Sequence, residues 1–351
     1  MGDLSTSVVA NGSGLALQSR PTTDRPSGPT NRLRTGPIQP LLVPLWYGCE
    51  VPGVDRAPAA IDAALRNRWR DRDESALAAR LCDAVTIPVP DIPDAMDRRN
   101  KRDFAFLPAI AATSQALADA AEVAVRDGSL ALTFGGDHAV AAGSVAGASR
   151  AVREMTGPDG APGRLGLIWI DTHADLNTPD TSPSGHVHGL PLASLLGEGA
   201  SELTSIAGDG VAVRPDDVCL LGVRDLDPGE RRMIRERGIW TLTMEEWDDL
   251  GLREGIAAAI AHLRRQRVTA VHLSFDLDVI DPVDLPATGT TCPGGLTSRE
   301  AARVLRMVRD ADLPIVSADV VELDITRDTP AGLYLWTTAI LTATLLGETQ
   351  R

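Results

Sequence analysis

Three short stretches of this chain concentrate side chains that bind cations or move protons. In DTHAD, Asp171, His173 and Asp175 occupy every second position, and in SFDLD, Asp276 and Asp278 do the same. Residues two apart in an extended chain project to one side, so each set can face one cavity. In GGDH, a pair of glycines, Gly135 and Gly136, permits a tight turn that aims His138 back over the chain. A further carboxylate, Glu322, follows the apolar run PIVSADVV.

Taken singly, an acid after a strand often only caps the next helix. An isolated histidine such as His262 or His272 is more often a satisfied surface or core residue than a ligand. Convergence changes the weighing, because clustered buried acids repel one another strongly unless cations neutralise them. The candidate ligands are the four aspartates 171, 175, 276 and 278 with His138 and His173. With no thiolate nearby they form a hard, oxygen-rich set that favours Mn(II), although raw affinity alone would prefer zinc. Asp171 and Asp276 are placed to bridge, so the set suits two ions. Two divalent ions would balance the four aspartates, and a bridging hydroxide would leave one negative charge, which suits a cationic guanidinium.

The elements that must position these groups are legible as short apolar runs alternating with longer Ala/Leu/Arg segments of helical period, the pattern of a parallel sheet covered by helices. The runs expected as strands are 38–46, 84–90, 129–134, 165–171, 217–223, 238–244, 270–278 and 314–322; 109–126, 139–153, 253–266 and 297–309 are expected as helices. Ligands of open parallel sheets bind beyond the carboxyl ends of the strands, where the acids and histidines fall. GPDGAPG at 157–163 is a loop by its turn chemistry. Residues 1–37, rich in Ser, Thr, Pro, Gly and Asn, are expected as a flexible extension, and 38–351 as one catalytic domain. The opening MGDLST fits a loose myristoylation pattern, but such short patterns match often by chance.

A formal charge of −14 over 351 residues argues against nucleic acid as a partner and suits a cationic small molecule. No apolar stretch approaches the ~18 residues that span a bilayer, and no basic-then-apolar leader opens the chain, so a cytoplasmic protein with no membrane partner is expected. Cys49, Cys82, Cys219 and Cys292 lack paired spacing and read as free thiols. The single lysine, Lys101, argues against pyridoxal chemistry.

Together GGDH (135–138), DTHAD (171–175) and SFDLDVIDP (274–282) are similar to the signatures of the ureohydrolases: arginase, agmatinase and their relatives. The resemblance covers roughly residues 38–348, including GVDRAPAAI at 53–61. It implies a three-layer α/β/α fold around a mostly parallel eight-stranded sheet, two Mn(II) ions, a guanidino substrate, and a homotrimer or homohexamer. Carried over by motif, His138, Asp171, Asp175 and Asp276 would hold one manganese, and Asp171, His173, Asp276 and Asp278 the other. Asp175 would also orient a hydroxide bridging the two ions, Glu322 would pair with the guanidinium, and His188 of SGHVHG would shuttle protons.

DTHADLNTPDTSPSGHVHGLPL (171–192) and VRDLDPGE (223–230) resemble arginases more than agmatinases. The resemblance implies that Asn177 and Ser184 contact an α-carboxylate and that Asp227, with Glu230 nearby, receives an α-ammonium, giving hydrolysis of L-arginine to L-ornithine and urea. A turn built by Asn177 and Ser184 is the simpler structural alternative. Three departures bear on the substrate: His186 where arginases commonly carry Asn, Val279 for a usual Gly or Ala, and Leu323-Asp324 after Glu322. N-hydroxy-L-arginine, agmatine or another guanidino acid are the alternatives they leave open. A single-zinc deacetylase of related fold fits the two acid pairs poorly, and a non-catalytic metal-stabilised binding protein fits poorly with a complete ligand set.

Overall fold

In the computed structural model, which describes residues 30–98 and 104–348, each apolar run expected as a strand forms one. They are β1 (Ile38–Val43), β2 (Val85–Thr86), β3 (Leu130–Gly135), β4 (Leu165–Ile170), β5 (Val218–Val223), β6 (Trp240–Thr243), β7 (Ala270–Asp276) and β8 (Ile315–Val321). All pair in parallel in one sheet of order β2-β1-β3-β8-β7-β4-β5-β6. Every residue of β3, β4, β5, β7 and β8 is buried, which is why these strands are nearly continuous in apolar residues rather than alternating. The run 84–90 yields only two paired residues, because Pro88 and Pro90 have no N–H to donate and the strand lies at the sheet edge.

The helices that cover the sheet are α1 (Arg32–Thr35), α2 (Ala57–Asp71), α3 (Leu107–Arg126), α4 (Ala141–Arg153), α5 (Pro228–Arg237), α6 (Leu252–Gln266), α7 (Ser298–Asp310) and α8 (Leu333–Leu345). On one face, Leu117 and Ala121 of α3 and Val145 of α4 share a core with Leu167 and Leu220 of the sheet. On the other, Ile61 of α2, Leu263 of α6, Leu305 of α7 and Leu341 of α8 pack with Leu132, Ile168 and Leu273. The result is the expected three-layer α/β/α sandwich. Helices α3 and α4 cross closely because a Cβ on Gly143 would stand 2.4 Å from the Ser114 carbonyl oxygen. Thr297 opens α7 reciprocally: its hydroxyl accepts from the Glu300 N–H, and the Glu300 carboxylate accepts from the Thr297 N–H.

The expected start of the packed domain at residue 38 is too late. Leu33 of α1 is fully buried, and the Arg32 guanidinium donates to the carbonyls of Val125 and Ser129 at 2.7 and 2.9 Å. The remainder of the expected extension, residues 1–29, lies outside the described residues, as does Lys101. Gly157 donates to the Ala161 carbonyl at 2.8 Å, closing the expected loop. No helix among the described residues is long and apolar enough to cross a membrane. The four adjacent strands β3, β8, β7 and β4 deliver GGDH, Glu322, SFDLD and DTHAD respectively to one end of the sheet.

Candidate active site

Local turns, not extended chain, bring each acid cluster inward. β4 ends at Ile170, and the Asp171 carboxylate accepts from the His173 N–H at 2.7 Å. β7 ends at Asp276, whose carboxylate accepts from the Asp278 N–H at 2.7 Å. Both are Asx turns, in which an aspartate bonds the backbone two residues on. The spacing of two therefore serves a different geometry from the one the sequence implied. Asp175 then takes φ +50° and Glu322 φ +71°, conformations uncommon for residues with a Cβ and concentrated at functional sites. The glycines of GGDH also act differently from expectation. Neither has a positive φ, but a Cβ on Gly136 would lie 1.8 Å from the Leu45 carbonyl oxygen, so they admit close approach of neighbouring chain.

His138 Nδ1 stands 3.1 Å from Asp171 Oδ2, 3.1 Å from Asp175 Oδ2 and 3.0 Å from Asp276 Oδ2. His173 Nδ1 stands 3.0 Å from Asp278 Oδ2 and 3.6 Å from Asp171 Oδ1. The structure thus brings together all six expected ligands: five form two adjoining groups that share Asp171, and Asp175 stands beside His138. His138 Nδ1 and Asp175 Oδ2 are buried and make no hydrogen bond. Buried atoms left without partners are costly, and these two are ligand atoms in an oxygen-rich donor set. The residues fit a pair of divalent cations.

The electrostatics of this acid-rich, buried cluster favour added positive charge. Burial and then Asp278 and Asp171 push the Asp276 carboxyl well above its usual range, and burial with Asp171 raises Asp175 to about 6. Burial disfavours a charged His138, but the surrounding aspartates outweigh it and hold its pKa well above normal. Burial likewise opposes ionisation of Asp171, yet His138 and His173 keep that carboxyl well below the usual range.

Glu322 Oε1 accepts from the His138 N–H at 2.8 Å and meets His188 Nδ1 at 2.9 Å, while Oε2 is buried without a partner. Burial works against a charged His188, but Glu322 dominates and raises its pKa to about 9. The His188 loop is anchored through Gly48, which accepts from the His188 N–H at 3.1 Å and donates to Asp137 at 2.8 Å.

The expected substrate-reading residues fall into two groups. Asn177 Nδ2 donates to Asp227 Oδ2 at 2.8 Å, joining the two segments. Glu230 stands behind Asp227, its oxygens taken by the Asp227 and Leu176 N–H groups at 2.8 and 3.1 Å. Burial raises the Glu230 carboxyl to about 7. Ser184 builds a turn, its hydroxyl accepting from the His186 N–H at 3.1 Å.

Two of the three departures are absorbed by packing. Val279 is fully buried and fills the space above Gly222, where a Cβ would lie 2.8 Å from it. Leu323 is core, and Asp324 caps the turn after it by accepting from the N–H and hydroxyl of Thr326 at 2.9 and 2.6 Å. His186 differs: its ring lies 5.8 Å from that of His188.

Several site residues are not evident from the motifs. The Trp169 indole stacks on the His138 ring at 4.3 Å and donates to Asp171 Oδ2 at 2.9 Å. Ser274 Oγ meets His138 Nε2 at 2.8 Å, and Thr290 donates to Asp278 Oδ2 at 3.1 Å. A signal for Ser274 does exist: His272, Ser274 and Asp276 alternate in a strand otherwise apolar.

At the strand ends of this parallel α/β sandwich, two adjoining carboxylate–imidazole groups form sites that could hold metal ions. The family model that matches, described as Arginase family, covers residues 41–350. The arginase of Bacillus caldovelox is 39% identical over 288 residues, 82% of this chain and 91% of that protein. Its native structure at pH 5.6 superposes with a TM-score of 0.78 at 36% identity, covering 90% of this chain and 100% of that one. Entamoeba histolytica arginase, solved with L-ornithine, gives 0.76 at 27% identity, covering 89% and 98%. The chain belongs to the arginase family, and it is a hydrolase acting on the C–N bond of a small guanidino substrate.

Proposed function

We propose that the enzyme hydrolyses L-arginine to L-ornithine and urea with two Mn(II) ions, His138, Asp171, Asp175 and Asp276 holding one and Asp171, His173, Asp276 and Asp278 the other. When bound, the ions acidify a shared water and supply a nucleophile near neutral pH, which the resonance-stabilised guanidinium carbon requires. The carrying observation is that three buried, unpartnered atoms belong to this one site: His138 Nδ1, Asp175 Oδ2 and Glu322 Oε2. The first two suit cations, and the third suits the guanidinium N–H groups.

Asp175 orients the attacking water and accepts the proton it loses, which returns to His188 once that has protonated the amine, so both groups are restored. His188, kept protonated by Glu322, gives its proton to the departing amine as the C–N bond breaks. Asn177 and Ser184 offer donors to the α-carboxylate and Asp227 a carboxylate to the α-ammonium, with Glu230 fixing Asp227 from behind. The complex of the Entamoeba histolytica relative with L-ornithine supports an amino-acid product. Agmatine lacks the α-carboxylate and would leave those donors unpaired, a loss on the order of a thousandfold in specificity. Urea release from L-arginine, N-hydroxy-L-arginine, agmatine and guanidinobutyrate, each with Mn(II), tests the assignment: agmatine turned over as well as L-arginine would overturn it.

A further inference from the structure

Beneath the candidate metal ligands, the centre of the sheet carries polar side chains where an apolar layer would be the ordinary choice. In the β7–β8 ladder Ser274 lies opposite Asp319 and His272 opposite Ser317. These four residues are buried, and with Ser144 of α4 they form one connected network. Asp319 Oδ1 meets Ser274 Oγ at 2.6 Å; Asp319 Oδ2 meets Ser144 Oγ at 2.6 Å and His272 Nε2 at 2.9 Å. Ser317 Oγ lies 2.8 Å from His272 Nδ1.

The direction of the bonds to Asp319 follows from counting protons. A carboxylate only accepts, so Ser274, Ser144 and the His272 Nε2–H must all donate to Asp319. Ser274 has one hydroxyl proton, and Asp319 takes it. The 2.8 Å contact between Ser274 Oγ and His138 Nε2 can then only be an N–H donated by the histidine. With the Nε2 proton engaged by Ser274, Nδ1 is the ring nitrogen that faces the three aspartate oxygens at 3.0 to 3.1 Å and the one placed to ligate a cation.

We propose that Asp319 is a positioning residue which, acting through Ser274, fixes the tautomer and orientation of His138 so that Nδ1 is held ready as a cation ligand. His272, Ser144 and Ser317 fix Asp319 in turn. A fully satisfied buried network of this kind specifies a single arrangement, and outer partners of ligating histidines typically alter metal affinity by about 10- to 100-fold when removed. This proposal rests on the assignment of His138 as a metal ligand.

The test measures Mn(II) dissociation constants, from the free-Mn(II) EPR signal during titration of chelator-treated protein, for the parent, Ser274→Ala, Ser274→Thr, Asp319→Asn, the Ser274→Ala/Asp319→Asn double variant and His138→Ala. Thermal unfolding of each metal-free protein is recorded alongside. Ser274→Ala and Asp319→Asn should each weaken one Mn(II) site roughly 10- to 100-fold, and Ser274→Thr, which keeps the hydroxyl, should restore it. The double variant should be no weaker than Ser274→Ala alone, because Asp319 acts through Ser274. Parental affinity in Ser274→Ala, with His138→Ala losing an ion, would overturn the positioning role and leave the ligand assignment standing. Two ions bound to His138→Ala at parental affinity would overturn the ligand assignment itself. Additive losses in the double variant would show that Asp319 acts by another route, and if Asp319→Asn does not fold, the Ala and Thr variants at 274 decide the matter.

Discussion

His188 and Glu322, 134 residues apart, meet through Nδ1 and Oε1 at 2.9 Å, so one carboxylate both orients the histidine and keeps its other oxygen, Oε2, open. Replacing His188 with Asn should lower kcat by roughly a hundredfold or more, the usual scale for a proton-transfer group, with Mn(II) content unchanged. Loss of manganese from that variant, by elemental analysis, would move His188 among the metal ligands.

The same pair makes the stability of the metal-free protein depend on pH. The folded His188 pKa of about 9 exceeds its ordinary 6.5, so the pair's contribution is fully present below about 6.5 and is lost as pH rises through 9. Its size is at most about 3.4 kcal/mol, from a shift of about 2.5 at about 1.36 kcal/mol each. The Tm difference between chelated parent and His188→Asn should be largest near pH 6 and shrink by pH 10. A difference that grows with pH would have the wrong sign.

Asp227 accepts from Asn177 at 2.8 Å, and under the proposed function both residues contact the amino-acid end of the substrate. Asp227→Ala should therefore raise KM for L-arginine at least tenfold and leave kcat/KM for agmatine nearly unchanged. Equal losses on the two substrates would mean that Asp227 shapes the pocket generally and does not read the α-ammonium.

The eight strands were legible because strands buried on both faces must be apolar throughout, as LGLIWI and VHLSF are. Helix α8, LYLWTTAILTATL, was not, since it is apolar nearly all round and shows no stripe. The metal-binding candidates stood out as acid and imidazole clusters, although the Asx turns at Asp171 and Asp276 appear only in three dimensions. Asp319 and Trp169 stayed hidden because each is an ordinary residue in its own strand, and the alternation that marks Ser274 does not say what it bonds. Their meaning comes from the pairing of β7 with β8 and with β4. His272 was expected to be a satisfied surface or core residue, and it is a buried one with both ring nitrogens bonded; what it holds in place was not visible from the sequence. Val279 and Leu323-Asp324 looked like changes to the pocket, but they are compensated by Gly222 and Thr326.

The most direct test of the account is urea release from L-arginine measured against manganese bound per chain, starting from chelated enzyme. The six candidate ligand residues and the unpartnered atoms among them lead us to expect activity that is negligible without metal and reaches its plateau at two Mn(II) per chain. A plateau at one ion per chain, or full turnover by the metal-free enzyme, would contradict it.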